Sequence, residues 1–325
     1  MLDRSIEHIV DSALEGHVLD DAELLQLLAL HEDSPEASYI RWASNMLGRK
    51  ASANRGQIYA QIGVDANACP FDCSFCTLAA CNSAFKGKAE VPLEEIVSYA
   101  QTFDQAGVHL ISLMATGALR FERYLEIVAA VRGAVNADMP IMANCGDLDL
   151  EQMRQLKNAG TQAFYHAKRL GEGKVTRIAP QTRDATMRAA KDAGLQLMTA
   201  VEPVSGSTPL EDIVARMREV IALEPYCSGV GALTIVPKTM AQDAVPVSRR
   251  RTTHFACVMR LAASTGIPFG TGCGNVMWVD AGTNPRGRTL PTDAALLQRD
   301  TAAARKALQR DDWGVPARPL PEWFE

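Results

Sequence analysis

The chain has 325 residues, of which 47% are hydrophobic and 22% charged, so a single barrel of roughly 250 residues could hold most of it. Its net charge of −5 argues against nucleic-acid binding through the phosphates, and no apolar run approaches the roughly 20 residues that cross a bilayer. No basic segment followed by an apolar one begins the sequence, so we expect a cytoplasmic protein that uses neither a membrane nor a nucleic acid as partner.

Amphipathic helices are predicted within residues 1–50. The apolar residues that recur there at helical spacing are Ile6, Ile9, Val10, Ala13, Leu14, Leu24, Leu25, Leu27 and Leu28. We expect these helices to form a cap at the amino end of the main domain.

One pattern recurs through residues 51–290: a helix, a Gly that ends it, and a short apolar strand. The helix and strand pairs are 93–105 with 108–114, 150–159 with 162–165, 186–193 with 195–201, and a helix ending near 265 with 267–270. Further strands are predicted over 58–64, 139–144, 229–236 and 276–279.

Eight strands that alternate with helices predict an α/β protein with parallel strands, because parallel neighbours need a crossover connection. We expect a (β/α)8 TIM-type barrel over residues 51–290, closed or splayed, with a doubly wound open sheet as the alternative. Residues 291–325 are predicted to form a C-terminal helix and a Pro-rich strap. In either architecture the active site lies at the carboxyl ends of the strands.

Eight cysteines in a reducing compartment point to metal binding or catalysis more readily than to disulfides. Cys69, Cys73 and Cys76 follow the first predicted strand with a Cys-x3-Cys-x2-Cys spacing, and thiolates bind both iron–sulfur clusters and zinc. A structural zinc site needs a fourth ligand, which Cys81 could supply. A cluster bound by three cysteines instead leaves one iron open to another ligand.

The triplet, with Phe75 directly before its third cysteine, resembles the signature of the radical S-adenosylmethionine (SAM) superfamily. The resemblance implies a [4Fe-4S] cluster on Cys69, Cys73 and Cys76, SAM on the open iron, and a 5′-deoxyadenosyl radical that takes hydrogen from a substrate. It also implies that Phe75 lies near the adenine. A small-molecule or carrier-bound substrate and an electron donor such as flavodoxin or ferredoxin are implied as partners.

From about Leu2 to Arg288 the chain is similar to the biotin synthase group, which includes methylornithine synthase and a hydrogenase maturase. The resemblance places Ala115, Thr116 and Gly117 near the amino group of SAM. It places Arg188, six residues after Thr182, on the SAM carboxylate, where a planar guanidinium can form two hydrogen bonds.

The chain departs from biotin synthase at the ligands of that enzyme's second cluster, of which Cys145 alone has a counterpart here. Cys145 and Cys273 both follow predicted strands, so we expect them to face the barrel mouth as ligands of an auxiliary Fe–S cluster or as substrate-facing thiols. The alternative is that they are small buried core residues. Ala167 and Arg169 also stand where the family has Asn and Asp.

The surplus cysteines slightly favour sulfur insertion, whereas the missing ligands favour rearrangement of an amino-acid skeleton, as in methylornithine synthase. A non-enzymatic zinc or iron–sulfur module is the alternative of another class. Three polar residues at predicted strand ends are the candidate catalytic residues: Tyr165, His166 and Glu202. Each of them could instead be a structural polar residue.

Overall fold

The computed structural model describes residues 2–82, 90–263, 275–282 and 293–320. The helices are α1 Arg4–Leu14, α2 Asp21–Ala29, α3 Pro35–Ala51, α4 Leu93–Gln105, α5 Phe121–Ala134, α6 Leu150–Asn158, α7 Pro180–Asp192, α8 Leu210–Ala222, α9 Arg249–Ala263 and α10 Ala294–Arg310. The strands are β1 Gln57–Gly63, β2 Leu110–Met114, β3 Ile141–Asn144, β4 Ala163–Tyr165, β5 Gln196–Met198, β6 Val201–Val204, β7 Val230–Ala232 and β8 Val276–Gly282.

Parallel pairing confirms the predicted α/β class. A six-stranded sheet has the order β5-β4-β3-β2-β1-β8, and β6 pairs with β7 in a second sheet. The first strand therefore has the last as a neighbour: Gln61 of β1 lies between Ser112 of β2 and Asp280 of β8. This return of the final strand to the first is the topology of a TIM-type barrel.

The sequence predicts one strand over 195–201, and the structure divides this region into β5 and β6. Met198 still pairs with Tyr165 of β4, but it also forms a bridge to Cys227, and the Thr199 N–H donates to the Cys227 carbonyl at 3.3 Å. These contacts join the two sheets. The strand predicted over 267–270 lies outside the described residues, and within the described part no ladder joins β7 to β8.

Alternating residues of the strands form two cores. Tyr59, Leu110, Met142 and Met198 belong to a small cluster on the inner face of the sheet, and the ring of Trp278 meets Tyr59 edge-on at 5.3 Å between centroids. The residues between them, such as Ile58, pack outward against the helices. Apolar side chains therefore fill the lower barrel interior, as in other small barrels.

The N-terminal segment forms three helices whose apolar faces form a third core with α8 and α9. At the other terminus, residues 311–320 follow α10 and contact the amino ends of the strands. Gly56 donates to the Gly314 carbonyl at 2.7 Å, and His109 lies 2.9 Å from the Pro316 carbonyl oxygen. The carboxyl ends of the strands are thus at the opposite end from this C-terminal strap. No helix in the described ranges is long and apolar enough to cross a membrane.

Candidate active site

The loop that carries the cysteine triplet begins at a buried carboxylate at the end of β1. Asp65 is 1% exposed, accepts the Thr116 N–H at 2.7 Å and accepts the Thr116 hydroxyl at 2.5 Å. Because hydrogen bonds to an ionised acceptor are stronger than neutral ones, this pair joins the ends of β1 and β2 firmly. The start of the cysteine loop is therefore fixed against Ala115-Thr116-Gly117.

The loop closes on itself through backbone hydrogen bonds. Cys69 donates to the Leu78 carbonyl at 2.7 Å, Ala80 donates to the Cys69 carbonyl at 3.0 Å, and Cys76 donates to the Cys73 carbonyl at 3.0 Å. The thiols of Cys69, Cys73 and Cys76 are free and partly buried. The sequence prediction of a compact three-thiol loop at the end of the first strand agrees with this geometry.

Backbone N–H groups point at two of the three sulfur atoms. Burial raises the pKa of Cys69, and the N–H groups of Phe71 and Gly117 act against that rise by donating to its sulfur. Burial also raises the pKa of Cys76, opposed by the N–H groups of Leu78 and Ala79. N–H donors to sulfur stabilise thiolates, and such bonds tune iron–sulfur clusters.

Cys73 has the most perturbed thiol of the triplet: burial raises its pKa to about 12, while the positive charge of Arg169 lowers it. A ligand thiol must be deprotonated, so a positively charged metal centre would have to compensate for burial at all three positions. Three adjacent buried thiols with N–H donors and nearby arginines therefore fit a cluster in charge and in donor chemistry.

Within the described residues, no three His, Cys, Asp or Glu side chains meet at a point where one metal ion could bind. Three cysteines of a cluster each bind a different iron, so their sulfur atoms do not have to meet at one point. Cys81, the candidate fourth zinc ligand, is exposed, and its N–H donates to Asp72 Oδ1 at 2.7 Å.

Phe71 is a site residue that the sequence analysis missed. A Cβ on Gly117 would lie 2.5 Å from the Phe71 ring, and one on Gly146 would lie 3.3 Å from it, so both glycines make room for the ring. The guanidinium carbon of Arg183 lies 5.2 Å from the ring centroid. A glycine in the loop after β2 and another in the loop after β3 were the available signals. Phe75 is half-buried between the second and third cysteines.

A cavity of about 500 Å³ lies beside Phe71. Its lining includes Phe71, Gly117, Tyr124, Cys145, Gly146 and Thr182. Cys145 packs with the outer core against α5, whereas Met142, three residues earlier, belongs to the inner one. Burial raises the pKa of Cys145 strongly, and its assignment as an auxiliary-cluster ligand stays a prediction. Cys273 lies outside the described residues.

A buried polar network connects the strand ends to α7. Arg183 is 5% exposed, and its Nη1 lies 3.1 Å from Asp147 Oδ2, while His166 Nε2 lies 2.8 Å from Asp147 Oδ1. Arg183 Nε lies 3.4 Å from a carboxylate oxygen of Glu172. Burial lowers the pKa of His166, so we assign a neutral imidazole at neutral pH. Burial alone would raise the pKa of Asp147, but hydrogen bonds and the Arg183 charge lower it.

Arg188, which the resemblance places on the SAM carboxylate, is exposed on α7. A buried guanidinium on the same helix, that of Arg183, lies over the Phe71 ring of the cysteine loop, and its charge acts on both Cys69 and Cys73. Helix α7 begins at Pro180, six residues before the predicted start, because proline suits a first helical turn. The sequence predicts this helix only from Thr186 onward, so Arg183 lies in the first turns that the prediction left out.

Tyr165, the last residue of β4, and Glu202, the second residue of β6, come together. The Tyr165 hydroxyl donates to Glu202 Oε1 at 2.5 Å, and Arg169 forms an ion pair with the same oxygen. A Cβ on Gly231 of β7 would lie 2.7 Å from Glu202 Oε2, so that glycine leaves space for the carboxylate. The structure thus places Tyr165 and Glu202 in one cluster with Arg169, and His166 in the Asp147 network.

No family model matches the chain. Biotin synthase of Desulforudis audaxviator is 27% identical over 203 residues, which cover 59% of this chain and 60% of that protein. Biotin synthase of Agrobacterium fabrum is 25% identical over 203 residues, 60% of each chain. The match thus spans less than two thirds of the length of these relatives.

Solved structures extend the similarity of fold to nearly the whole chain. Methylornithine synthase superposes with a TM-score of 0.79 at 18% identity and covers 96% of this chain and 97% of its own. HydG, a maturase of the [FeFe]-hydrogenase, superposes with a TM-score of 0.78 at 13% identity over 98% of this chain and 77% of its own. The sequence relatives and the cysteine loop at the end of β1 agree: the chain is similar to the radical SAM superfamily, and within it to the biotin synthase-like group.

Proposed function

We propose that the chain is an enzyme that removes a hydrogen atom from a carbon of a small polar substrate bound in the barrel mouth. When bound, the family's [4Fe-4S] cluster and SAM supply a 5′-deoxyadenosyl radical, which can take hydrogen from an unactivated carbon. The observation that carries the proposal is the loop of Cys69, Cys73 and Cys76 at the carboxyl end of β1, with N–H groups directed at its sulfur atoms.

Arg183 is the residue that we assign to the carboxylate of SAM. Its guanidinium is buried, oriented by Asp147 at 3.1 Å, and adjacent to the cysteine loop through the Phe71 ring. A buried, oriented guanidinium is suited to a planar carboxylate. The half-buried segment from Ala115 to Gly117, which follows β2, is the neighbouring backbone whose carbonyl groups could accept the amino group.

Glu202, Tyr165 and Arg169 are the residues that we assign to substrate binding. Tyr165 ends β4, Arg169 follows it and Glu202 lies in β6, and the charge of Arg169 acts on both Cys73 and Tyr165, so this cluster lies between the cysteine loop and the barrel interior. The apolar inner core beneath, with Tyr59 and Trp278, excludes water from below. A site with an acid, an arginine and a phenol favours a substrate with charged or hydrogen-bonding groups.

Rearrangement of a polar carbon skeleton, which needs no second cluster, is the outcome that these residues favour. Sulfur insertion is the second candidate, and the observation in its favour is the Cys145 thiol in the cavity beside Phe71. Either reaction needs a one-electron reductant, for which a flavodoxin or a ferredoxin is suited. About four irons per chain support the first reaction, and about six or eight support the second through an auxiliary cluster.

The experiment is anaerobic reconstitution with iron and sulfide, followed by incubation with dithionite and SAM. We expect 5′-deoxyadenosine and methionine to form in wild-type protein. A Cys73→Ala variant should lose both products, whereas Cys81→Ala should retain them because its exposed thiol is outside the triplet. Wild-type protein that binds iron but leaves SAM intact would contradict the proposal.

A further inference from the structure

Asn82, six residues after the last cysteine of the triplet, is buried although it lies in a loop. It is 4% exposed, and its side-chain Nδ2 lies 2.5 Å from the Cys76 carbonyl oxygen and 3.3 Å from those of both Cys73 and Ser74. An amide nitrogen has two hydrogens, so the three carbonyls share them. One side chain thus contacts the backbone of the cysteine loop between its second and third cysteines.

The other end of the same amide is also occupied. Asn82 Oδ1 accepts the Met240 N–H at 2.9 Å, and the neighbouring Ala241 N–H donates to the Ser74 carbonyl at 3.2 Å. Met240 belongs to the segment 236–246, which follows β7. Asn82 therefore connects the cysteine loop to the segment that leaves another strand end.

The position of a sulfur atom depends on the backbone that carries it. Fixing the carbonyls of Cys73 and Cys76 fixes the orientation of their peptide planes, and with it the directions in which the two side chains leave the backbone. The Leu78 and Ala79 N–H groups that point at the Cys76 sulfur lie between Cys76 and Asn82 in the chain. Groups that orient metal ligands typically change metal affinity or activity 10- to 100-fold when removed.

We propose that Asn82 is a positioning residue for the cluster: its amide fixes the loop of Cys73 and Cys76 and attaches it to the 236–246 segment. This inference rests on the proposed function, because it assigns the residue a role toward the same cluster. Asn82 touches neither substrate nor SAM in this assignment, and acts through the two cysteines.

Two substitutions distinguish the hydrogen bonds that the Asn82 side chain donates from the one that it accepts. Asn82→Ala removes the donor and the acceptor, whereas Asn82→Asp keeps an acceptor for the Met240 N–H but places a carboxylate against three carbonyl oxygens. Asn136→Ala is the matched control, because Asn136 also donates from its side chain, to Asp104 at 2.6 Å, but follows the carboxyl end of α5 at the opposite end of the barrel.

Reconstituted proteins are compared by iron released to a chelator, by the EPR spectrum and reduction potential of the reduced cluster, and by SAM cleavage. For both Asn82 variants we expect faster iron release, a shifted spectrum and potential, and cleavage reduced roughly 10- to 100-fold. Asn136→Ala should lower only the melting temperature. An Asn82→Asp variant as active as wild type would overturn the role of the three carbonyls.

If Asn82→Ala lowers only the melting temperature, and leaves the EPR spectrum, the reduction potential and SAM cleavage unchanged, Asn82 has a structural role only. That result would also overturn the inference. The two proposals fail differently. If wild type loads iron and cleaves SAM while the Asn82 variants match it, only the inference about Asn82 fails. If wild type neither loads iron nor cleaves SAM, the proposed function fails and this inference with it.

Discussion

Gly117 is a position where a single added methyl group would clash with a side chain of the site. A Cβ there would lie 2.5 Å from the Phe71 ring, and the Gly117 N–H donates to the Cys69 sulfur. We expect Gly117→Ala to displace Phe71 at a cost of about 1–3 kcal/mol in stability and to reduce SAM cleavage. Gly133→Ala is the control: its Cβ would meet nothing within 4 Å, and it should keep activity and be neutral or stabilising. Equal activity of the two variants would contradict the assigned packing.

Arg183 and Arg188 lie on the same helix but differ in burial, so they form a matched pair. Arg183 is 5% exposed and contacts Asp147, whereas Arg188 is exposed. We expect Arg183→Gln to raise the KM for SAM by roughly 10- to 100-fold, the value of a lost charged hydrogen bond of about 1.5–3 kcal/mol. Arg188→Gln should leave KM unchanged. If Arg188→Gln raises KM and Arg183→Gln does not, the assignment from the resemblance is right and ours is wrong.

Individual site residues were predictable where chain spacing alone brings them together. The cysteines are close in sequence, and Tyr165 and Glu202 follow each other along the barrel, although Glu202 lies inside β6 rather than at the strand end that the sequence predicts. Phe71, Arg183 and Asn82 act through contacts with other elements. Such contacts depend on side-chain directions in three dimensions, which neither spacing nor hydrophobic periodicity records.

At the scale of elements, a buried histidine connects β1, the start of β2 and the C-terminal strap. His109 Nδ1 accepts the Ile58 N–H at 2.7 Å, and its Nε2 lies 2.9 Å from the Pro316 carbonyl oxygen. Burial lowers the pKa of His109 to about 4 from an ordinary 6.5. Between these values the unfolded chain binds a proton that the folded chain does not, so stability falls as the pH falls, by about 1.4 kcal/mol per pH unit at most.

We therefore expect the apoprotein to unfold at lower urea concentration at pH 5 than at pH 7. Burial also lowers the pKa of His254 in α9 to about 4 and that of His166, so His109→Gln should remove part of the histidine contribution to this slope and leave the rest. His8→Gln, at an exposed position of α1, should leave the slope at the wild-type value. A His109→Gln variant with the full wild-type slope would contradict the assignment.

The elements themselves followed from the recurring helix, glycine and strand order, because each glycine marks the residue where a helix ends. The boundary errors have local causes. The face of α7 is so polar that apolar periodicity is visible only from Thr186 onward, although the helix begins at Pro180. The strand predicted over 195–201 divides because, at Met198 and Thr199, its pairing changes from β4 to the residues before β7.

For the whole molecule, the parallel strand order brings the cysteine loop, the Arg183 network and the Glu202 cluster to the carboxyl ends of the strands, while residues 311–320 contact the amino ends. This separation lets the C-terminal strap contribute to stability without approaching the site. Cys145, the residue after the end of β3, packs against the outer core and also lines the cavity beside Phe71. The barrel architecture could be predicted from the sequence. The face of the sheet on which each strand-end side chain lies could be seen only from the pairing register of the strands.

The most direct test of the account is the EPR spectrum of the anaerobically reconstituted, dithionite-reduced protein, recorded with and without SAM. We predict about four irons per chain and a cluster signal that SAM shifts, because one iron is left open by Cys69, Cys73 and Cys76. Cys73→Ala should lose the signal, and Cys81→Ala should keep it. A protein that binds no iron, or a signal that SAM leaves unchanged, would contradict the assignment of this chain as a radical SAM enzyme.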